Sequence, residues 1–477
     1  MKIEKTPIDG VVVIELDVHG DNRGWFKENW QVEKLSALNY DFKYFKPIQN
    51  NISFNAQKGV TRGIHAEPWN KYISVGFGSV FGAWVDLREN SKTYGKTFTT
   101  TLTPDKAIFI PRGVANSFQA LEDNTVYTYL VDAHWSADLQ KEYTFVNLKD
   151  PELNIQWPIP LTLSDGTDNP DVELSEKDKN HPYLKDVVPM PPKKILITGA
   201  NGQLGRAIQN AIDLSNLILT DLTDSENIQK FDFTNPEEYN NFDWTKIGTI
   251  INCAAWTNVD GAETNEGRLG SWKSNAFGPN LLAKIATRYN ITLIHISSDY
   301  VFDGTIDKHL ENEPFSPLGI YGQTKAAGDL AVSTTQKHYI IRTSWVIGDG
   351  NNFVKTFQNL ASKNIKPSVV NDQFGRLTFT STLADAIKHL LTSKADYGTY
   401  NVTNSGKTVS WFEIAQKIYS LCGHQESEVS PISTQDYYQD KDYISPRPSN
   451  STLSLDKIIS TGFEPSDWEN ELNLYCK

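Results

Sequence analysis

Two residues in the segment YGQTK have the types and the spacing of a proton-donating pair. Tyr321 and Lys325 are four residues apart, so on a helix they lie on the same face. A lysine ammonium group beside a phenol favours the phenolate and therefore lowers the pKa of the phenol. Such a tyrosine passes a proton to a carbonyl oxygen while hydride reaches the carbon. The pair is also common on surface helices, so this interpretation depends on its neighbours.

A hydroxyl group that could hold the same carbonyl lies upstream of this pair. The segment HISSDYVFDG places Ser297 and Ser298 at the end of a predicted strand. Ligands of open α/β sheets bind at the carboxyl ends of the strands. We therefore expect a serine hydroxyl to hydrogen-bond the substrate carbonyl.

The segment KILITGANGQLGR predicts the strand, turn and helix of a dinucleotide-binding site. Gly199, Gly202 and Gly205 allow a tight turn whose backbone N–H groups approach a pyrophosphate at a helix N-terminus. The next predicted strand, LILTD, ends in Asp221, and an acidic residue there commonly binds the ribose hydroxyls of NAD(H). An exposed turn aspartate is the alternative, so the sequence favours NADH and leaves NADPH open.

One histidine and several cations stand out in the first half of the chain. His65 follows an Arg-Gly turn, and Arg23, Arg62 and Lys71 are cations in an acidic protein. A lone histidine is more often structural than catalytic. The interior of a β-barrel can nevertheless hold one small ligand, and cations there suit a diphosphate. These residues therefore predict a site for an anionic ligand.

The elements that must position these residues differ between the two halves. The first half has short β-branched and aromatic runs separated by turn residues, such as VVVIEL, KAIFIP and TVYTYLVDA, which predict a sandwich or barrel. The second half alternates strands such as ILITGA and TIINCAA with helical segments, the pattern of a parallel α/β sheet. We predict a first domain over residues 1–187, a proline-containing linker over 188–193 and a second domain over 194–477.

Composition and charge exclude several classes of protein. The net charge of −13 argues against duplex nucleic acid as a partner, because phosphate neutralisation needs a basic surface. The three cysteines have no metal-type pairing and indicate reduced thiols in a cytoplasmic protein. The N-terminal segment lacks an apolar signal core, and no apolar run is long enough to span a membrane.

The second half resembles the dTDP-4-dehydrorhamnose reductases, which are extended short-chain dehydrogenases/reductases with a Rossmann-type sheet and a small substrate-binding part. The resemblance rests on TGANGQLG, NCAAWTNVDGAE, SSDYVFDG, YGQTKAAGD, NDQFGRLTFT and SPRPSNSTL. It implies that Ser298, Tyr321 and Lys325 are catalytic. It implies a cofactor site that also includes Gly199, Asn201, Gly202, Gln203, Gly205, Asp232, Ala254 and Ala255, and a substrate site that includes Val259, Asp299 and Arg447.

The first half resembles the dTDP-4-dehydrorhamnose 3,5-epimerases, which have a cupin-like jelly-roll fold and need no metal. The resemblance rests on DNRGWFKE, QNNIS, RGIHAEPWNK, PRGVANSF and SEKD and is closest to the streptococcal class. It implies that His65 is the catalytic base, oriented by Asp178, and that Lys71 stabilises the enolate oxygen. The implied nucleotide-sugar site comprises Arg23, Phe26, Glu28, Gln49, Asn51 and Arg62. The family is dimeric, and Arg23, Phe26 and Glu28 would reach into a partner subunit's barrel.

The first half departs from this family where the acid is expected. Most members have a tyrosine shortly after the strand that reads TVYTYLV here, and this chain reads DAHWSADLQ instead. Alignment places His134 or Trp135 at that position. A histidinium can donate a proton near neutral pH and a tryptophan cannot, so we assign His134 as the expected acid and keep Tyr129 as the alternative. A second departure is Asn116, where most of the family has histidine.

The two resemblances imply consecutive reactions. The first half would convert dTDP-4-dehydro-6-deoxy-D-glucose into dTDP-4-dehydro-L-rhamnose, and the second would reduce this ketone to dTDP-L-rhamnose with NADPH or NADH. One alternative is a partly active or inactive epimerase half, which would give another 6-deoxyhexose such as 6-deoxy-L-talose or a C3 epimer. A UDP-sugar version and an NAD(P)-binding regulatory subunit are further alternatives. We expect a homodimer formed through the first domain.

Overall fold

A computed structural model describes residues 1–38, 40, 42–393, 395–439 and 444–477 of the chain. Contacts within the chain divide it into two units, Met1–Pro192 and Lys193–Lys477. None of the helices in the described part of the chain is long and apolar enough to cross a membrane.

The first unit consists of two antiparallel sheets packed face to face. Their strands are β1 (Lys2–Lys5), β2 (Val12–Glu15), β3 (Val18–Asp21), β4 (Gly24–Lys27), β5 (Gln49–Asn55), β6 (Thr61–Ala66), β7 (Lys71–Phe77), β8 (Val80–Asp86), β9 (Thr97–Leu102), β10 (Lys106–Ile110), β11 (Val114–Ala120), β12 (Thr125–Val131) and β13 (Thr144–Phe145). The six-stranded sheet has the order β1-β2-β10-β7-β12-β5, the five-stranded sheet has the order β13-β6-β11-β8-β9, and β3 and β4 form a separate hairpin. Two short helices, α1 (Val32–Ser36) and α2 (Glu176–Lys179), complete the unit.

The alternation of side chains along the strands creates the core between these sheets. Ile73 and Val75 of β7 lie on the inner face of the six-stranded sheet and pack with Trp84 and Phe118 of the five-stranded sheet. Tyr72, one residue before Ile73, packs on the opposite face. The inner face of each sheet is therefore largely apolar.

The segment after Asp186 packs on the first unit. Met190 N–H donates to the carbonyl of Leu87 at 2.8 Å, and Arg112 Nη1 donates to the carbonyl of Pro191 at 2.7 Å. The Met190 side chain is 2% exposed, whereas that of Val188 is 82% exposed. Much of the segment predicted as a linker, 188–193, is therefore bound to the first unit.

The second unit is built on a parallel sheet of seven strands with the order β16-β15-β14-β17-β18-β19-β24, which confirms the predicted parallel α/β arrangement. The strands of this unit are β14 (Lys194–Thr198), β15 (Leu217–Asp221), β16 (Gln229–Lys230), β17 (Ile247–Asn252), β18 (Thr292–Ser298), β19 (His338–Thr343), β20 (Val346–Ile347), β21 (Ser368–Val370), β22 (Phe374–Gly375), β23 (Thr378–Phe379), β24 (Gly398–Asn401), β25 (Val409–Ser410) and β26 (Ser430–Ile432). The helices are α3 (Gln203–Ala211), α4 (Asn265–Trp272), α5 (Gly278–Tyr289), α6 (Ile320–Ser333), α7 (Phe353–Ser362), α8 (Thr380–Ser393), α9 (Trp411–Leu421), α10 (Thr434–Tyr438), α11 (Asp456–Ser460) and α12 (Trp468–Tyr475).

Both faces of this sheet are buried, as expected for parallel strands that are apolar throughout. Ile197 and Ile294 pack on one face with residues of α3 and α8, and the preceding residues Leu196 and Leu293 pack on the other with residues of α5. The strand order reverses at β14, which lies between β15 and β17. Ligands of open α/β sheets bind beyond the carboxyl ends of the strands at such a reversal, so the fold places the site beside Thr198 and Asn252.

Replacing Met190 should destabilise the first unit. We expect Met190→Ala to lower its free energy of unfolding by about 2–4 kcal/mol, because the truncation leaves a cavity among buried side chains. Val188→Ala, at an exposed neighbouring position, should change it by less than about 0.5 kcal/mol. Urea-dependent amide exchange followed on peptides of the first unit measures both changes. Equal stability of the two variants would show that the segment does not pack there.

Candidate active sites

The glycine turn of the second unit has no room for side chains at two positions. Gly199 has φ +68°, and a Cβ there would lie 2.8 Å from the backbone nitrogen of Ala254. A Cβ on Gly205 would lie 2.3 Å from the carbonyl oxygen of Gly199. Helix α3 begins at Gln203, directly after the turn. The turn therefore brings bare backbone to a helix N-terminus, the arrangement that accepts a pyrophosphate.

Asp221, at the end of β15, is tied to this turn. Its Oδ2 accepts a hydrogen bond from Asn201 N–H at 2.9 Å, and its Oδ1 accepts one from Leu222 N–H at 2.8 Å. The carboxylate lies at the margin of the cleft beside the turn. It is therefore placed where an acidic residue contacts the ribose of a bound dinucleotide.

A cleft of about 920 Å³ brings most of the predicted second-unit residues together. From the cofactor set it is lined by Gly199, Asn201, Gly202, Gln203, Gly205, Asp221, Ala254 and Ala255. From the catalytic and substrate sets it is lined by Val259, Ser298, Asp299, Tyr321 and Lys325. The cleft is thus shared by a dinucleotide-type turn and a set of hydroxyl, carboxyl and ammonium groups.

Burial dominates the proton affinities in this cleft. Burial and the carboxylate of Asp299 raise the pKa of Tyr321 to about 12, and Ser298 opposes them. Burial lowers the pKa of Lys325 to about 8, and Asp329 opposes it. The Lys325 ammonium group donates to the carbonyl of Ile296 at 2.6 Å. The pKa of Tyr321 is therefore raised and not lowered as expected, and the phenol is protonated at neutral pH.

The first unit joins His65 to a carboxylate that is distant in sequence. His65 Nε2 donates to Asp178 Oδ1 at 2.8 Å, and His181 Nε2 lies 3.3 Å from the same oxygen. Ser175 Oγ accepts a hydrogen bond from Asp178 N–H and so begins α2. Burial acts to raise the pKa of Asp178, but hydrogen bonds from His181 and His65 outweigh it and hold this pKa well below its usual range. An ionised Asp178 therefore orients the imidazole of His65.

Lys71 faces the same interior from the six-stranded sheet. It forms an ion pair with Glu67, and both side chains are almost fully buried. Trp69 Nε1 donates to Glu67 Oε2 at 3.0 Å, and Lys71 Nζ lies 5.0 Å from the centre of the Tyr129 ring. Burial and Glu67 raise the pKa of Tyr129 to about 12, while Arg62 opposes them. This part of the interior thus contains an ammonium group and a protonated phenol.

Strand pairing shows that His65 and Tyr129 lie on different sheets of the first unit. Each side chain points into the space between the two sheets. His65 pairs with Asn116, and Asn116 Oδ1 accepts a hydrogen bond from the Tyr127 hydroxyl of the six-stranded sheet at 2.7 Å. Tyr129 follows Tyr127 by two residues and therefore shares its inner face. An imidazole and a phenol can consequently approach a bound molecule from its two sides.

Comparison with known proteins gives a family for each of the two units. Residues 5–186 match the family model described as dTDP-4-dehydrorhamnose 3,5-epimerase, and residues 193–477 match that described as RmlD substrate binding domain. The RmlC homolog of Streptococcus pyogenes serotype M6 is 47% identical over 39% of this chain and 91% of its own. The dTDP-4-dehydrorhamnose reductase of Aggregatibacter actinomycetemcomitans is 36% identical over 58% of this chain and 97% of its own. The chain belongs to both families.

A solved structure extends the comparison for the reductase unit. The crystal structure of dTDP-4-dehydrorhamnose reductase from Bacillus anthracis in complex with NADP is 33% identical, with a TM-score of 0.53. The alignment covers 60% of this chain and 98% of that one.

Two predicted residues of the reductase unit lie outside the cleft lining. Asp232 accepts a hydrogen bond from Thr234 N–H at 2.9 Å and lies 3.6 Å from the Lys273 ammonium group. Arg447 donates to both carboxylate oxygens of Asp260, at 2.9 and 2.8 Å.

Some predicted residues of the epimerase unit lie on strands of the two facing sheets, and others lie outside these sheets. Gln49 Nε2 donates to Asn51 Oδ1 at 2.8 Å on the strand that pairs with β12, and Arg62 Nε donates to Asn55 Oδ1 at 3.1 Å. The hairpin of β3 and β4 carries Arg23, 84% exposed and paired with Asp21, and Phe26, 66% exposed. Glu28 pairs with Lys34 beyond the hairpin, and His134 is exposed in the loop after β12.

Glu67, Tyr143 and His181 belong to the epimerase site and were not predicted. Phe145 of β13 pairs with His65 in antiparallel register. Tyr143, two residues before Phe145, therefore lies near Glu67, two residues after His65. The ring of His181 stacks on Phe145 with centroids 4.5 Å apart. These contacts depend on strand register and loop geometry, for which the sequence carries no local signal.

The buried carboxyl of Asp299 makes the reductase unit sensitive to pH. Burial raises the pKa of Asp299 to about 6 from 3.8, so the folded state holds this proton more tightly than the unfolded state. The resulting stability is fully present below pH 4 and lost as pH rises through 6. We expect wild type to lose roughly 2–3 kcal/mol relative to Asp299→Asn over this window.

Amide exchange on peptides of the reductase unit, measured at pH 4, 5, 6 and 7, gives this difference. Asp307→Asn, which replaces an exposed carboxylate, is the control and should run parallel to wild type. A pH-independent difference between wild type and Asp299→Asn would contradict the assigned titration.

Proposed function

We propose that this protein is a bifunctional enzyme of dTDP-L-rhamnose synthesis. The first unit epimerises dTDP-4-dehydro-6-deoxy-D-glucose at C3 and C5, and the second reduces the C4 ketone of the product with NAD(P)H. The observation that carries this proposal is the presence in one chain of two site geometries whose families catalyse successive steps. The nearest alternative, a single epimerisation followed by reduction, would give a different 6-deoxyhexose.

In the first unit, His65 is proposed as the base. The C4 ketone acidifies the C–H bonds at C3 and C5, and His65 removes each proton in turn while Asp178 stabilises the imidazolium that forms. Lys71 stabilises the negative charge on the C4 oxygen of the enolate. A proton returned to the carbon from the other side inverts the centre, and no oxidant or metal enters this balance.

We propose that the proton donor is Tyr129, which the sequence analysis kept as the alternative to His134. Its support is that Tyr129 faces the interior from the sheet opposite His65, whereas His134 is exposed. Burial and Glu67 also keep the Tyr129 phenol protonated at neutral pH. Before the second inversion the phenol regains a proton from solvent, and the imidazolium of His65 loses one to solvent.

In the second unit, Tyr321 is proposed to give its proton to the C4 oxygen, which Ser298 hydrogen-bonds. Bound NAD(P)H would supply the hydride to C4. The residues fit such a cofactor, because Gly199 and Gly205 have no room for a Cβ and leave bare backbone at the N-terminus of α3. The carboxylate of Asp221 favours the ribose hydroxyls of NADH, while the Bacillus anthracis reductase is in complex with NADP, so the proposal covers both.

The finer architecture is also a proposal. The two facing antiparallel sheets support a cupin-like jelly roll for the first unit. We propose that it forms a homodimer in which the exposed hairpin carrying Arg23 and Phe26, with the following Glu28, enters the partner's sugar-nucleotide site. The exposed side chains of Ile52 and Phe54 on the edge strand β5 support this, since a stable interface would cover them.

Separate variants should disable one unit at a time. With dTDP-4-dehydro-6-deoxy-D-glucose in D₂O, His65→Asn should lower deuterium incorporation at C3 and C5 by at least about 10³-fold. This variant should still oxidise NAD(P)H with preformed dTDP-4-dehydro-L-rhamnose. Tyr321→Phe should show the reverse, with exchange retained and ketone reduction lowered by at least about 10²-fold. NMR of the sugar and absorbance of the nicotinamide give both readouts.

The wild-type product decides between the candidate functions. Deuterium at both carbons in an L-rhamno sugar supports the proposal. Deuterium at C3 alone would replace it by a C3 epimerase coupled to reduction. Reduction without any deuterium would exclude an active first unit.

Replacing the two candidate acids should give unequal results. Tyr129→Phe should lower the rate of solvent exchange at C3 and C5 by about 10²–10⁴-fold, because the phenyl ring keeps the packing but has no proton to donate. His134→Asn should change it by less than about threefold. Mass spectrometry of the exchanging sugar without NAD(P)H measures both rates. A larger loss for His134→Asn than for Tyr129→Phe would restore His134 as the acid.

A further inference from the structure

Two buried cations of the reductase unit share one buried carboxylate. Lys325 is 2% exposed, Arg342 is 3% exposed, and Asp329 is 1% exposed. Asp329 lies one turn after Lys325 on α6, and its Oδ2 accepts a hydrogen bond from Arg342 Nε of β19 at 3.0 Å. A charge in such surroundings is stable only when it is paired.

The other hydrogen-bond partners of the two cations are neutral carbonyls. Lys325 donates to Ile296 at 2.6 Å, and Arg342 Nη1 donates to Glu311 at 3.0 Å, in both cases to the backbone oxygen. Asp329 is therefore the carboxylate that both cations face. It lies between a residue of the cleft and a residue behind it; burial raises the pKa of Asp329, and Arg342 and Lys325 oppose this rise.

A line of buried polar side chains runs from the glycine turn toward Asp329. Thr198 Oγ1, one residue before Gly199, donates to Asn252 Oδ1 at 2.6 Å, and Asn252 Nδ2 donates to His295 Nδ1 at 3.0 Å. His295 Nε2 then lies 4.0 Å from Asp329 Oδ1. The line crosses β14, β17 and β18 and ends at this separation, which is too long for a hydrogen bond, so the contact that holds Asp329 from the sheet is the hydrogen bond from Arg342.

We propose that Asp329 is a positioning residue of the reductase, which keeps the ammonium group of Lys325 charged and fixed beside Tyr321. The proposal rests on the function assigned to Tyr321 and Lys325. When Tyr321 gives its proton to the ketone, a phenolate remains in a buried site, and a positive charge one turn away stabilises it. Asp329 acts through Lys325 and lines no part of the cleft.

The charges around Lys325 make this role measurable as a pH dependence. Burial lowers the pKa of Lys325 to about 8 and Asp329 opposes this, so removal of the carboxylate should lower it further. Burial, with the charge of Lys325, lowers the pKa of His295 and keeps that imidazole neutral. In the described part of the chain, the titratable and charged groups that face this region are Tyr321 and Asp329 on α6, His295 on β18, Asp299 in the turn after β18, and Arg342 and His338 on β19.

The competing interpretation is a structural ion pair between Asp329 and Arg342 only. Breaking one partner of a buried pair leaves an unpaired charge, whereas removing both partners is often neutral. The double variant Asp329→Asn/Arg342→Gln therefore removes the structural penalty and leaves Lys325 without its carboxylate. Arg342→Gln alone removes the partner behind Asp329 but keeps the Asp329 carboxylate beside Lys325.

The experiment measures kcat/KM for NAD(P)H-dependent reduction of preformed dTDP-4-dehydro-L-rhamnose between pH 5.5 and 9.5. It uses the full chain, and amide exchange on peptides of the reductase unit reports the folded fraction of that unit in each sample. We expect the alkaline midpoint of Asp329→Asn to fall by at least about one pH unit, with a rate within about threefold of wild type at pH 6 and at least about fivefold lower at pH 8. The double variant should show the same fall. Arg342→Gln should have a midpoint no lower than that of wild type.

Different results overturn the proposal. It is wrong if Asp329→Asn lowers the rate by one factor at every pH, or if the double variant regains the wild-type profile. If Asp329→Asn does not fold, the double variant and Arg342→Gln still decide, because the proposal requires their midpoints to differ. A wild-type protein that exchanges deuterium but reduces no ketone would refute the proposed reductase function and this inference with it, whereas an active wild type with parallel variant profiles refutes the inference alone.

Discussion

The ammonium groups of Lys71 and Lys325 lie in the interior of their units, where an unpaired charge would cost several kcal/mol. Each therefore has a carboxylate that the same segment of chain supplies, Glu67 for the first and Asp329 for the second. A cation used inside a protein thus requires a second residue that takes no direct part in the chemistry. Both active sites are arranged around this requirement.

The same carboxylates and their neighbours set the state of the nearby phenols. Glu67 adds to burial in raising the pKa of Tyr129, and Asp299 does the same for Tyr321. In both units the phenol that we propose as a proton donor is therefore kept protonated at neutral pH. Two unrelated folds have reached this arrangement, one between facing sheets and the other at the ends of parallel strands.

The sequence predicted those features that local pattern determines. Apolar strands alternating with helices gave the parallel sheet, and Gly199 and Gly205 stood where the backbone allows no side chain. The four-residue spacing of Tyr321 and Lys325 predicted that they share one helix face, and both line the same cleft.

Features that depend on pairing between distant segments were beyond such reasoning. The partnership of His65 and Asp178 came only from family resemblance, and Glu67 and His181 were missed, because one sequence does not reveal the register between strands or the course of a loop. Asp329 stood in the quoted segment YGQTKAAGD, yet its importance depends on Arg342 reaching it from another strand. The linker was predicted from its prolines, although Met190 packs against the first unit through side-chain contacts that composition does not encode.

The two hydrogen bonds that Asp221 accepts have a consequence for enzyme engineering. Exchange of an acidic residue at this place is an obvious way to alter the preference between NADH and NADPH, because the carboxylate would repel a 2′-phosphate. Here the same carboxylate also binds the N–H groups of Asn201 and Leu222 and so shapes the pyrophosphate loop. A redesigned coenzyme pocket would have to provide these two donors with another acceptor, for instance the amide oxygen of asparagine, before a new basic residue could improve the fit.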